Sequence, residues 1–537
     1  MNGKRVRWGV FLPMAILLIG TVLVGIIAPT SFYNLQTVIV NFAFNNFGWL
    51  FSLVVFVLIF ICLFLGFSKF GNIRVGGDDA EPFIKKWEWF AISLTGGIGT
   101  GLLFWGTAEP LTHFMNPPQA LGIDAGSEEA ATFSMAAVMM QWTLAPYALY
   151  VICGISVAYT HYNLKLPYSV SSTLYPILGK RALGLTGTIV DNVCMFAIAG
   201  AMAAILGEGV LQISSGIGHY TSINDGPVLW AILILAITAT YIISSYTGLQ
   251  KGIKFLADNN AKIFIFLLIF VLIMGPTAFI FNIGTQGAGS YLSNMAKLHL
   301  WLSPMEGSSW SKDWPIFEWA LWGANAPLIG MFLARLSYGR TLRQFVTFNL
   351  LLPGGFGALW FWAFGGSAMF FDWKSGGQLW NIISTEDGGL QLSLFAFLEK
   401  FPLSTIIGWV ILVAIYLSFT TLADSLTTTM SSLTTTGNTI KNPEPPPRIK
   451  IFWGSVMGLM ALLTVTSGTG GEISGIDAVK QMATLAGFPV LFLIIMQIFS
   501  TVKSILNHDK VDPPSKTTVN TYVKGQNTEV ESSTTNL

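Results

Sequence analysis

The sequence predicts an all-α membrane protein of twelve transmembrane helices, in which two extra helices precede two inverted five-helix repeats. Three observations predict this class. Of 537 residues, 53% are hydrophobic and only 10% are charged, whereas a soluble domain carries roughly a quarter charged residues. Lysine and arginine alternate between successive loops, as the positive-inside rule requires. Two apolar segments five spans apart are each interrupted by glycine or proline.

Apolar runs of roughly 17–25 residues mark spans. They fall near 9–28, 48–67, 89–107, 134–158, 187–207, 228–245, 261–281, 315–334, 345–371, 404–425, 451–467 and 484–502. Lys4, Arg5 and Arg7 precede the first span, and the loop after it has no Lys or Arg. Lys69, Arg74, Lys85 and Lys86 follow the second span, and Lys165, Lys180 and Arg181 the fourth. Lys251 and Lys254 follow the sixth, Arg335, Arg340 and Arg343 the eighth, and Lys441, Arg448 and Lys450 the tenth. Both termini are therefore expected on the cytoplasmic side. The first run, Val10 to Ile27, has a basic flank without a small-residue cleavage site and reads as a retained span.

The expected organisation follows from these edges. Residues 1–88 hold the N-terminal tail and two extra spans, and 89–281 the first five-helix repeat. Residues 282–313 form an extracytoplasmic connection, 314–502 the second repeat, and 503–537 a polar, disordered cytoplasmic tail. Within the connection, SYLSNMAKLHLWLSPM is amphipathic and suits a position along the membrane surface. Cys62, Cys153 and Cys194 are scattered through apolar segments and read as small core residues, without metal spacing or a disulfide framework.

The interrupted segments point to the site. The third span, LTGGIGTGLLFWGTAEP, carries Gly96, Gly97, Gly99, Gly101 and Gly106. The eighth, WPIFEWALWGANAPLIG, reaches Gly323, Asn325 and Pro327 where a helix should be at mid-depth. Hydrocarbon tolerates unpaired backbone groups only where they line a cavity, so both segments are expected to break around a binding site. Each begins a block of five spans, and an odd-numbered repeat inserts with inverted topology. The run of glycines also suits a helix-packing surface.

GMFLARLSYGRTLRQF (Gly330–Phe345) and GGIGTGLLFWGTAEPL (Gly96–Leu111) resemble the segments that mark the betaine/choline/carnitine transporter (BCCT) family. The resemblance extends over nearly the whole chain. It implies a LeuT-like fold, a homotrimer in the bacterial inner membrane and substrates bearing a quaternary ammonium group. The family's aromatic box falls on Trp142, Tyr147 and Tyr150 in the fourth span and on Trp322 in the eighth. Tyr147 stands where glycine betaine carriers often have Trp. Leu321 and Asn325 depart from relatives with aromatic residues there, leaving room for a longer, carnitine-like backbone.

The chemistry suits such a substrate. A trimethylammonium group has no proton to donate, and an aromatic face attracts it by about 0.5–2 kcal/mol. A zwitterion's carboxylate would lie toward Gly97, Gly99 and Gly101. Choline-selective relatives tend to carry an Asp in that glycine segment, and this chain does not. In sodium-coupled relatives, hydroxyl ligands occupy positions that here read Ile198 and Met202 in the fifth span, and Thr421 and Leu422 in the tenth. Lys262 falls near the place where a sodium-independent relative carries a fixed positive charge. These departures resemble the sodium-independent carnitine/γ-butyrobetaine exchanger branch. The alternative is a sodium- or proton-coupled glycine betaine symporter for osmoprotection.

Intramembrane carboxylates are expensive and often functional. Glu109 and Asp424 belong to segments typical of the family, and Asp191 also falls in an apolar span. Glu208 and Glu318 are less ordinary and stand as coupling candidates. Glu318 lies four residues before Trp322, on the same helix face. An enzyme is not expected: the chain has no HExxH, suitable GxSxG, P-loop or catalytic cysteine pair. No cofactor, bound metal or nucleic-acid partner is implied, and the expected partners are the lipid bilayer and the small substrate. A channel would need a continuous polar pore rather than interrupted spans and an aromatic cage.

Overall fold

The structure is a computed structural model and describes residues 5–97, 99–247, 252–305, 307–384, 389–437, 444–467 and 475–508. The expected tail therefore lies almost wholly outside the described residues. Two N-terminal helices, α1 (Trp8–Ile27) and α2 (Pro29–Phe67), come first. The third span is described as α3 (Lys86–Gly97) and α4 (Gly99–Met115) on either side of Ile98, which lies outside the described residues. The fourth is α5 (Glu128–Trp142) and α6 (Leu144–Ala158), the fifth α7 (Leu185–Tyr220) and the sixth α8 (Pro227–Thr247). Next come α9 (Gly252–Met274), α10 (Thr277–Leu300) and α11 (Phe317–Leu336). The last four are α12 (Leu352–Ser375), α13 (Ser404–Leu433), α14 (Pro447–Ser467) and α15 (Gly475–Leu506).

Among the described residues, 11 helical stretches are long and apolar enough to cross a membrane. The third span is counted apart from them, since its described residues form stretches of 12 and 17 residues on either side of Ile98. With it, the spans match the expected twelve.

The eighth span corrects an expectation. Helix α11 runs unbroken through Gly323, Asn325 and Pro327, preceded by a single π-helical stretch at Lys312–Ile316. Proline removes only one hydrogen bond, and in a buried helix neighbouring groups absorb the loss. The Asn325 amide stays within the helix and donates to the Leu321 carbonyl at 3.0 Å. The break lies instead in the fourth span, at Thr143 (φ −112°, ψ −98°). Pro146 has no N–H for the Trp142 carbonyl, and two glycines of α12 admit the displaced backbone. A Cβ on Gly357 would stand 2.8 Å from the Trp142 carbonyl oxygen, and one on Gly354 3.2 Å from that of Thr143.

Burial separates inner from outer helices. In the most apolar windows of Lys312–Leu336 and Glu128–Asn163, 94% and 89% of residues are buried, against 28% for α1 and for Pro227–Tyr246. Exposed Ile16, Leu23, Leu235 and Ile273 give the outer helices a lipid-compatible face. Small residues let the inner helices touch, the usual mode of packing where lipid supplies no hydrophobic drive. A Cβ on Gly330 of α11 would lie 2.5 Å from Cys153 of α6, and one on Gly487 of α15 2.1 Å from the Ala320 carbonyl. Cys62, Cys153 and Cys194 are all buried, unbridged thiols.

The segment after α11 works as a staple. Arg340 donates to the Ile84 carbonyl at 2.5 Å and lies over the Trp89 ring, 5.0 Å from its centroid. Arg74 donates to the Gly339 carbonyl at 2.7 Å. Gly339 has φ +77°, and its position against Glu81 leaves no room for a side chain.

The connection after the seventh span is mostly helix. Helix α10 kinks at Asn294 and buries Ile283, Tyr291, Leu298 and His299, packing against α5, α12 and α2. The expected edge at residue 282 falls inside it.

Candidate functional site

Helical spacing brings the site together. Leu321, Trp322 and Asn325 share one face of α11, and Ile205 and Glu208 share one face of α7. These two faces, with Gly101 and Trp105 of α4, Trp142 and Tyr150 of the fourth span and Leu422 of α13, line an internal cavity of about 40 Å³. Trp322 is the hub of a ring cluster. Its centroid lies 5.6 Å from Trp142, 6.0 Å from Tyr147 and 5.1 Å from Tyr150. Trp142 also packs on Phe361, at 5.3 Å.

The indole nitrogens are fixed from behind. Trp142 Nε1 donates to Glu109 Oε2 at 2.6 Å, and Trp322 Nε1 donates to Glu318 Oε2 at 2.8 Å. Both carboxylates are fully buried. Hydrogen bonds of this kind hold a ring firmly while leaving its π-faces available. His113 stands behind Glu109, 3.5 Å from its Oε1, and accepts from Trp310 Nε1 at 3.3 Å.

The remaining expected residues are placed less uniformly. Tyr147 is buried and touches Trp322 without lining the cavity. Gly101 is a close-approach residue, since a Cβ there would meet the Trp142 ring at 2.5 Å. Gly99 faces away, toward Ser418 and Phe264, and the surroundings of Gly97 lie outside the described residues. Met202 is buried in α7, one turn before Ile205, and brings no oxygen. The Thr421 hydroxyl donates within its own helix to the Leu417 carbonyl at 2.7 Å, and Leu422 turns a methyl surface to the cavity. Lys262 does not join the cluster. It is exposed on α9 and pairs with Asp258 at 2.6 Å, so it supplies no interior charge.

Glu208 is drawn into the cavity wall, whereas Trp105, Ile205 and Phe361 were not expected in the site. Trp105 was legible as part of LLFWGTAEP, but the glycines around it carried the stronger signal. Two faces holding a cation each stand up to about 6 Å from it. The rings here touch one another at that distance, leaving no room for a cation between them. A cavity of about 40 Å³ holds only a few water molecules, at ~10–15 Å³ each.

Comparison with known proteins gives the family. The family model described as "BCCT, betaine/carnitine/choline family transporter" matches residues 9–510. A probable glycine betaine transporter of Desulfitobacterium hafniense is 33% identical over 90% of this chain and 94% of its own. The glycine betaine transporter OpuD of Bacillus subtilis is 33% identical over 90% and 91%. An ectoine/hydroxyectoine transporter of Virgibacillus pantothenticus is 30% identical over 95% and 99%. The chain belongs to the betaine/carnitine/choline family of multi-pass membrane transporters.

Proposed function

We propose that this protein carries betaine-type quaternary ammonium zwitterions across the membrane by alternating access, exchanging substrate for substrate without sodium. The observation that carries the substrate class is the Trp322 ring set among Trp142, Tyr147 and Tyr150 at 5–6 Å. Two relatives named as glycine betaine transporters support it. Sodium independence rests on Ile198 and Met202, which carry no oxygen, and on Leu422, which turns hydrocarbon toward the cavity. Placement in a bacterial inner membrane with both termini cytoplasmic rests on the loop charges, and a homotrimer on the family resemblance.

A second reading, proton-coupled symport, is favoured by Glu208, a carboxylate in the cavity wall that titration would switch. Proteoliposomes separate the two. Labelled carnitine, γ-butyrobetaine and glycine betaine are offered at equal pH, with and without sodium, to vesicles that are empty or loaded with unlabelled substrate. Exchange predicts uptake only into loaded vesicles, indifferent to sodium. Sodium-driven uptake into empty vesicles refutes it, and uptake driven by an imposed proton gradient selects symport. Trp322→Leu should weaken uptake of every substrate at least tenfold, and near-normal affinity would remove Trp322 from the site.

A further inference from the structure

The polar atoms of the cavity wall are unequal in kind. The indole N–H groups of Trp142 and Trp322 are taken by Glu109 and Glu318. Among the described residues, no Lys, Arg or His lines the cavity. Asn325 adds a side-chain oxygen to this wall, beside the Tyr150 hydroxyl. Asn325 is 2% exposed, and its Oδ1 has no hydrogen-bond partner. Its Nδ2 is committed to the Leu321 carbonyl. That bond fixes the amide plane and leaves Oδ1 as an acceptor one helical turn from Trp322. A buried carbonyl oxygen left unpaired costs about 1–3 kcal/mol.

We infer that Asn325 is a specificity-determining residue, and that its Oδ1 accepts a hydrogen bond from a hydroxyl carried by the substrate near its quaternary ammonium group. The inference rests on the proposed substrate class and narrows it to hydroxylated members. Trp322 and Tyr150 hold the methylated cation, which has no donor, and Asn325 reads the donor a short distance along the backbone. A site built to pair a hydroxyl discriminates strongly against the analogue that lacks it, because the analogue leaves the buried acceptor unpaired.

The test uses two pairs of compounds that differ by one hydroxyl. Carnitine and γ-butyrobetaine are zwitterions, while choline and ethyltrimethylammonium are simple cations. Affinity for the purified full-length protein is read from tryptophan fluorescence. The wild type should bind the hydroxylated member at least tenfold more tightly in whichever pair it accepts. Asn325→Ala, which removes the acceptor without adding volume, should bring the ratio to about one, and Asn325→Asp, which keeps an acceptor oxygen, should restore a preference. A wild-type ratio near one in an accepted pair overturns the inference while leaving the zwitterion reading intact, and needs no variant. Preference for choline over ethyltrimethylammonium, with neither zwitterion bound, keeps the inference and overturns the zwitterion reading. Failure of all four to bind overturns the inference, and failure of glycine betaine as well overturns the zwitterion reading.

Discussion

Trp142 and Glu109 are joined by a buried hydrogen bond, indole Nε1 to carboxylate Oε2 at 2.6 Å, that ties the fourth span to the third. It orients the ring on which Trp322 packs. A hydrogen bond contributes about 0.5–1.5 kcal/mol net, and removing one partner strands the other at a cost of about 1–3 kcal/mol. Glu109→Ala should therefore weaken substrate binding about tenfold or more, with Glu109→Gln intermediate because its amide oxygen still accepts. Fluorescence titration of the two variants measures this. Unchanged affinity in Glu109→Ala would mean that packing on Phe361 alone holds Trp142.

The glycines predict a contrast. A Cβ on Gly101 would lie 2.5 Å from the Trp142 ring, whereas one on Gly323 would meet only Ile494, at 3.8 Å. Gly101→Ala is expected to displace the indole and reduce uptake more than tenfold. Gly323→Ala should fold normally and gain roughly 0.5–1 kcal/mol of helix stability. Thermal melts beside transport assays check both. If Gly101→Ala transports normally, the Trp142 ring has more freedom than its contact with α4 allows.

These two glycines also show what was legible. Glycine content flagged α4 and α11 alike, but only packing tells which glycine admits a ring and which merely sits in a helix. The spans were readable because hydrocarbon demands long apolar runs, and the LeuT-like class follows from membership of the family. The break at Thr143 was not, since QWTLAPY offers only Pro146 as a local signal and the room for it comes from Gly354 and Gly357, some 210 residues later. Ile205 was illegible for a different reason. Helix α7 is apolar on nearly all sides around that position, so no periodicity announces its inward face. The ring cluster around Trp322 was expected only through family resemblance, because 18 tryptophans make composition alone uninformative.

Glu444 binds two cations at once, Arg335 at the end of α11 and Lys450 at the start of α14, each at 2.5 Å. Both cations are nearly buried. Breaking a buried pair by removing one partner typically costs about 3–5 kcal/mol, because the other charge remains. Part of Glu444 is solvated, so the lower end of that range applies to Glu444→Ala. Its melting temperature should fall by several degrees, and the double variant Glu444→Ala/Arg335→Met should recover part of the loss. No drop in the single variant would show that solvent already screens the cluster.

His299 gives the protein a pH dependence of predictable sign. Its imidazole lies parallel to the Trp319 ring at 5.7 Å, and Tyr291 Oη is 3.2 Å from its Nε2. Burial pushes its pKa down to about 3. Unfolded, it titrates near ~6.5, so below that pH the unfolded state takes a proton that the folded state refuses. Stability contributed by neutral His299 is therefore complete above about 6.5 and falls as pH drops toward 3, by at most ~1.4 kcal/mol per pH unit. His299→Phe keeps a ring on Trp319 and removes the titration. Between pH 7.5 and 5, its melting temperature should fall less than that of the wild type, and parallel curves would assign the acid sensitivity to other groups.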